Sequence, residues 1–212
     1  MNRLATQIEQ LNKELFSQLP KAMAEAFEQS IEEVKTKGIE ENSIQIGEQI
    51  PAFSLPNIFG QQISSDEILK NGKMMIAFYR GSWCPYCNLE LKYLQDNLSR
   101  LRNKNITLVA VSPEGPEYSS MMAEKNNLEF EVLTDADNGF AQKLGIVFQL
   151  QDFVLLHYQN LGIDLLKFNK NTENTLPVPA VFVIDENRKV RYKFLDVNYM
   201  NQVDVEDLIQ AL

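Results

Sequence analysis

A chain of 212 residues with 44% hydrophobic and 23% charged residues has the balance of a globular domain that can bury a core and still carry an extension. Its formal net charge of −9 offers no electrostatic attraction for nucleic acid or for an anionic membrane surface. The segment from Met1 to Glu9 lacks the apolar centre of a signal peptide and no apolar run reaches transmembrane length, so a cytoplasmic protein is expected.

Residues 1–38 read as helix. Leu4, Ile8, Leu11 and Leu15 recur at helical spacing, and beyond Pro20 a second stripe follows in Met23, Phe27, Ile31 and Val34, with Gly38 as the stop. Such stripes need an apolar partner. Either this arm, residues 1–40, covers the body formed by 44–212, or it pairs with a second copy as a homodimer.

From Ile44 the texture changes to short alternating runs. Residues 51–56 and 60–64 read as a small hairpin, and Ser64 to Glu67 as the cap of a short helix containing Ile68 and Leu69. Residues 74–79 form a buried strand and lead into a helix that reaches about Arg102. Residues 106–111 are a second buried strand, 117–125 a helix, 130–133 a third strand and 138–144 another helix. Asp135-Ala136-Asp137-Asn138-Gly139 has the composition of a calcium loop, but its glycine is misplaced and no glutamate follows at the needed distance. A helix-capping turn is expected instead. The apolar stretch 146–170 reads as an inserted helical segment packing near the helix that follows residue 84. Residues 180–184 and 190–194 form a hairpin about Asp185-Glu186-Asn187, and a helix from Val203 closes the chain. Strands alternating with helices and ending in a hairpin predict a layered α/β domain.

Between the first buried strand and its helix stands Arg80-Gly81-Ser82-Trp83-Cys84-Pro85-Tyr86-Cys87, which holds the only two cysteines. Pro85 suits the first turn of a helix, where its missing N–H would have had no partner. That makes Cys84 the N-cap and Cys87 a first-turn residue. Free N–H groups and the positive end of the helix dipole then favour thiolate over thiol, whose ordinary value is ~8.5. Cross-linking a loop of about four residues stabilises by only roughly 2 kcal/mol, against about 4.7 for a hundred-residue loop, so the pair suits a reversible switch better than a staple. Zinc needs four ligands, and no third cysteine exists; the lone His157 reads as packed or surface-lying. No metal and no cofactor are expected.

Several segments now point one way: Pro51 to Pro56, Phe78-Tyr79-Arg80-Gly81, Trp83-Cys84-Pro85-Tyr86-Cys87, Val111-Ser112-Pro113 and Thr134-Asp135. On these residues 44–212 resemble the peroxiredoxin-like (alkyl hydroperoxide reductase and thiol-specific antioxidant) branch of the thioredoxin fold, and only the N-terminal arm lies outside. Val178-Pro179-Ala180-Val181-Phe182 is similar to the cis-proline segment of thioredoxins and glutaredoxins. The resemblance implies a thioredoxin-like α/β fold, a central mixed sheet flanked by helices, with Pro179 beside the thiols. It implies a thiol-dependent peroxidase acting on hydrogen peroxide or organic hydroperoxides and reset by a thioredoxin-like or small-thiol reductant. The alternatives are a thiol–disulfide oxidoreductase acting on protein disulfides and a non-catalytic binding protein.

The two family patterns disagree on the attacking sulfur. In thioredoxin-like terms Cys84 is the exposed nucleophile and Cys87 resolves. In peroxiredoxin-like terms Cys87-Asn88-Leu89-Glu90 carries the peroxidatic cysteine, and Cys84 falls where that family has Thr or Ser. Trp83, Pro85 and Tyr86 frame the pair in both. Arg80 stands where peroxiredoxins have proline and is a candidate source of positive charge. Phe78 stands where thioredoxins carry a buried aspartate, which leaves Glu90 or water to move the proton. The alternative for Arg80 and Glu90 is a solvated surface pair.

Overall fold

The computed structural model describes residues 3–171 and 173–212. Residues 1 and 2 of the expected arm lie outside the described residues. The arm is two helices, α1 (Arg3–Gln18) and α2 (Lys21–Lys35), broken where Pro20 cannot continue the first and instead caps the second. A single turn, α3 (Ile39–Asn42), leads into a hairpin of β1 (Ser54–Pro56) and β2 (Gln62–Ser64), then α4 (Ser65–Leu69). Ser64 occupies the N-cap of α4 but makes no capping bond. The hydroxyl that matters is Ser65, which accepts from the Phe53 N–H at 3.0 Å and ties the hairpin to the helix.

The body continues through β3 (Lys73–Phe78), α5 (Pro85–Asp96), α6 (Leu98–Asn103), β4 (Ile106–Ser112), α7 (Pro116–Asn126), β5 (Glu131–Thr134) and α8 (Gly139–Lys143). It then runs through β6 (Val147–Gln149), α9 (Asp152–Asn160), α10 (Leu165–Asn169), β7 (Thr175–Pro177), β8 (Ala180–Ile184), β9 (Val190–Leu195) and α11 (Val205–Ala211). The helix expected to reach Arg102 breaks at Asn97, whose φ −104° and ψ 4° leave the helical region. The turn before α8 behaves as a cap: both Asp135 carboxylate oxygens accept, from the Phe140 and Ala141 N–H groups, at 2.8 Å each.

The main sheet has the order β5-β4-β3-β8-β9, with β3, β4 and β5 parallel and β8 antiparallel to both neighbours, so the mixed sheet is as expected. β3 lies at its centre. Met75, Ala77 and Tyr79 face one core; Met74, Ile76 and Phe78 face the other, and all six are fully buried. That period-two split over a continuous apolar run is what a strand covered on both faces requires. The first core holds α5 and also receives the arm: Leu4 is buried there, with Ile8, Leu11 and Leu15 packed against it. The α1 stripe therefore finds its partner on its own chain.

Stretch 146–170 departs from expectation. Its first part is β6, paired antiparallel with β7, which the sequence pattern did not reveal. Its helical part packs on α2 and on the turn before α5: Val154, Tyr158 and Leu165 cluster with Phe27 and Trp83. The Val178–Pro179 peptide is trans, since the described residues contain no cis bond, which corrects the cis-proline expectation. The chain passes extended from β7 into β8, and the Val178 N–H donates to the Ile146 carbonyl at 2.8 Å, continuing the β6–β7 ladder. Among the described residues no helix is long and apolar enough to cross a membrane.

Candidate active site

β3 delivers the chain to the turn and α5 receives it. Cys84 is the N-cap and Pro85 the first helical residue, as the sequence predicts, and Cys87 lies within the first turn. Three devices hold the turn. Gly81 has φ 156°, and a Cβ there would lie 2.3 Å from the Trp83 indole nitrogen, so only glycine lets the indole fold back. The Asn88 amide donates to the carbonyls of Ser82 and Cys84, at 2.6 and 2.8 Å. Glu114, fully buried on the loop between β4 and α7, accepts from the Ser82 N–H at 2.9 Å and from its hydroxyl at 2.7 Å.

The sulfurs face one another. The Cys87 thiol donates to Cys84 Sγ at 2.9 Å, and Arg80 Nη2 donates to the same sulfur at 3.2 Å. Both cysteines are fully buried, so the exposed nucleophile of the thioredoxin-like pattern is not what this fold presents. Arg80 is 4% exposed and, among the described residues, forms no ion pair with a carboxylate. Its Nη1 donates to the Tyr158 hydroxyl at 2.9 Å. Its guanidinium carbon lies 3.7 Å from the centre of the Tyr199 ring and 5.1 Å from that of Trp83. A buried cation with aromatic faces and no carboxylate leaves the thiolate as its counterion.

Electrostatics then separates the two sulfurs. Burial opposes charge on Cys84, but the hydrogen bond from Cys87 and the Arg80 charge outweigh it and bring its pKa down to about 6. Burial and donation to its neighbour hold Cys87 well above the ordinary thiol value. Glu90, 1% exposed, is pushed up to about 8 by burial; the Val203 N–H donates to one oxygen at 3.3 Å and the other has no partner among the described residues. Glu114 is pushed up by burial to about 7. The solvated Arg80–Glu90 surface pair is thereby overturned: both are buried, each on partners of its own, because α9 and Tyr199 cover one and the approach to α11 covers the other.

The remaining candidates lie around the pair. The Tyr86 hydroxyl donates to Asn12 Oδ1 of α1 at 2.6 Å, and its ring meets Tyr199 edge-on at 5.6 Å. Trp83 and Pro85 line a cavity of about 220 Å³. Pro179 precedes Ala180, which pairs with Phe78, so it lies at the end of the sheet where the turn begins. His157 packs edge-on against Phe27. Among the described residues no group of three or more metal-ligating side chains is present. A larger hollow of about 740 Å³, lined by Asp66 and Arg188 among others, holds neither thiol.

Glu114, Tyr158 and Tyr199 went unrecognised in the sequence. A signal existed for the first: Ser112-Pro113-Glu114 follows a strand parallel to β3 and so emerges at the same end of the sheet. Nothing local marked the two tyrosines.

A family model described as "AhpC/TSA family" matches residues 46–193. Peroxiredoxin Bcp of Escherichia coli K12 is 27% identical over 164 residues, covering 77% of this chain and 94% of that protein. Thiol-disulfide oxidoreductase ResA of Geobacillus kaustophilus is 23% identical, covering 82% of this chain and 81% of that one. The crystal structure of peroxidoxin BcpB from Mycobacterium tuberculosis superposes with a TM-score of 0.62 at 18% identity, over 79% of this chain and 96% of that one.

Proposed function

We propose that this chain, which belongs to the AhpC/TSA family and is a thiol-dependent peroxidase, attacks peroxide with Cys84 and resolves the product with Cys87. The observation that carries the assignment is the Arg80–Cys84 contact, a buried guanidinium whose only anionic neighbour among the described residues is that sulfur. The Cys84 thiolate attacks the distal oxygen of a hydroperoxide. An S–O bond forms, the O–O bond breaks, and the leaving oxygen takes a proton to depart as alcohol or water, leaving Cys84 as sulfenic acid. Glu90, protonated below about 8, is the buried carboxyl nearest in sequence to the pair. Cys87 then loses its proton and attacks the Cys84 sulfur, expelling water and closing the disulfide. The sulfurs start 2.9 Å apart, so α5 need not unwind. A thioredoxin-like dithiol or a small thiol returns two electrons.

Trp83, Pro85, Tyr86 and Pro179 frame the turn in this reading. A reducing cytoplasmic setting belongs to it as well, supported by two neighbouring thiols arranged as a switch. The assignment departs from the peroxiredoxin-like pattern, in which Cys87 attacks. A sulfenic-acid trap applied to Cys84→Ser and Cys87→Ser after one equivalent of peroxide decides it. Trapping is expected in Cys87→Ser and absent in Cys84→Ser; the reverse result transfers the attack to Cys87. A second reading, attack of the same thiolate on protein disulfides, draws support from the Cys-Pro-Tyr-Cys turn. It predicts faster single-turnover oxidation of the dithiol by a disulfide-bonded protein than by peroxide.

A further inference from the structure

The arm lies outside the span matched by the family model, residues 46–193, yet it closes one side of the active site. Leu15, Phe16, Leu19 and Phe27 wall the 220 Å³ cavity whose opposite wall is the redox turn, with Arg80 and Trp83 in its lining. We propose that this cavity is a subsite for the organic body of a bulky, uncharged hydroperoxide of aryl or branched-alkyl class. In this proposal the arm sets a preference for such substrates over hydrogen peroxide. The inference rests on the peroxidase reading above.

Volume decides the class. An apolar cavity of about 150 Å³ holds a benzene ring, so this one has room for a substituted ring and far exceeds what hydrogen peroxide fills. Its lining is aliphatic and aromatic apart from Arg80, the Trp83 indole N–H and the tyrosine hydroxyls, and among the described residues it contains no carboxylate or lysine. An apolar body gains by leaving water for such walls, whereas hydrogen peroxide has no apolar surface to transfer. Two of the lining side chains also carry spare donors. Among the described residues Arg80 Nε and Trp83 Nε1 have no hydrogen-bond partner and are closed off from solvent, which is costly unless a ligand oxygen entering from the cavity supplies the acceptor. A hydroperoxide has two such oxygens.

Arg80 lines the cavity and its Nη2 donates to Cys84 Sγ, whereas neither thiol is in the lining; in this proposal the organic body lies on the arm side and the O–O group meets the guanidinium. The peroxide oxygen takes the place of Nη2 on the sulfur, with the charge still beside it. Thiolate attack on the distal oxygen then releases ROH into the cavity and leaves Cys84 as sulfenic acid, the balanced step given above. Phe16 is exposed and Leu15, Leu19 and Phe27 are only half-buried, so the cavity wall can be altered without opening a core.

The test uses the full chain with a dithiol reductant. kcat/KM is measured for cumene hydroperoxide and for hydrogen peroxide in the wild type, Leu19→Phe and Phe16→Ser. Alongside, 2-phenyl-2-propanol is titrated while the emission of Trp83, the sole tryptophan, is followed. The wild type is expected to favour cumene hydroperoxide at least tenfold and to show a saturable Trp83 response. In each variant the ratio of the two kcat/KM values should fall at least fivefold, and the alcohol should bind correspondingly more weakly. A ratio unmoved in both variants, with no Trp83 response in the wild type, overturns the subsite even if peroxide is consumed. Reduction of neither peroxide alongside a saturable Trp83 response overturns the peroxidase reading and supports an apolar-ligand site.

Discussion

On the sheet side of the redox turn the restraints are strand register and hydrogen bonds: Phe78 lies between Val111 and Ala180, and Ser82 is held by Glu114. On the arm side they are aromatic faces around one guanidinium, with Tyr158 on α9, Tyr199 ahead of α11 and Trp83 in the turn itself. The first side fixes where the sulfurs are. The second fixes which of them is charged. Register is insensitive to any one side chain, because each strand bond is shared along a ladder; a lone buried cation has no such redundancy. Position and reactivity should therefore be separable by mutation.

The largest separation is expected from Arg80→Met. With a pKa of about 6, Cys84 is about nine-tenths thiolate at pH 7. At the ordinary thiol value of ~8.5 the fraction is about 3%, so peroxide reactivity at pH 7 should fall roughly thirtyfold and recover as the pH is raised towards 9. Stopped-flow rates and the ultraviolet absorbance of the thiolate both report it. Arg80→Lys should keep much of the effect while losing the bond to Tyr158. Equal loss in Arg80→Met at every pH would break the comparison.

Glu114→Ala probes the other side. It strips the acceptor from the Ser82 N–H and hydroxyl, which should cost about 1–3 kcal/mol in chemical or thermal unfolding. The Cys84 titration should move far less than in Arg80→Met.

Glu90 gives a smaller effect whose sign follows from linkage. Its folded pKa, about 8, lies above the ordinary carboxyl value. The folded state therefore holds a proton that the unfolded chain has released, and this contribution to stability is complete at low pH and lost as the pH rises through about 8. Cys84, shifted downward, contributes in the opposite sense as the pH rises above about 6. Urea unfolding at pH 5 and at pH 8 should show a smaller loss of stability with pH in Glu90→Gln than in the wild type. An identical pH dependence in the two proteins would refute the buried protonated carboxyl.

Asp135→Ala is the mildest test. It removes the cap from the Phe140 and Ala141 N–H groups and should cost about 1 kcal/mol of stability, with the Cys84 titration unchanged.

Much of the fold was legible because its signals are local. The apolar run 74–78 between turn residues reads as a strand covered on both faces, and Cys-Pro after it suits the start of a helix. The short pair β6 and β7 was not legible: each is three residues long, and its stability comes from a partner between 26 residues away, at Gln149 and Thr175, and 30 residues away, at Val147 and Pro177. Arg80 and Glu90 were visible as candidates but not as buried groups, since burial depends on what the distant Tyr158 and the Val203 segment cover.

From the order of residues alone follow the two thiols, one helical turn apart at a positive helix end, and with them the expectation of a reversible dithiol switch, because cap and proline chemistry act over four residues. Which thiol carries the charge was decided only in three dimensions. The cation beside Cys84 is confined there by tyrosines 78 and 119 residues along the chain from Arg80, and its influence depends on the water they exclude.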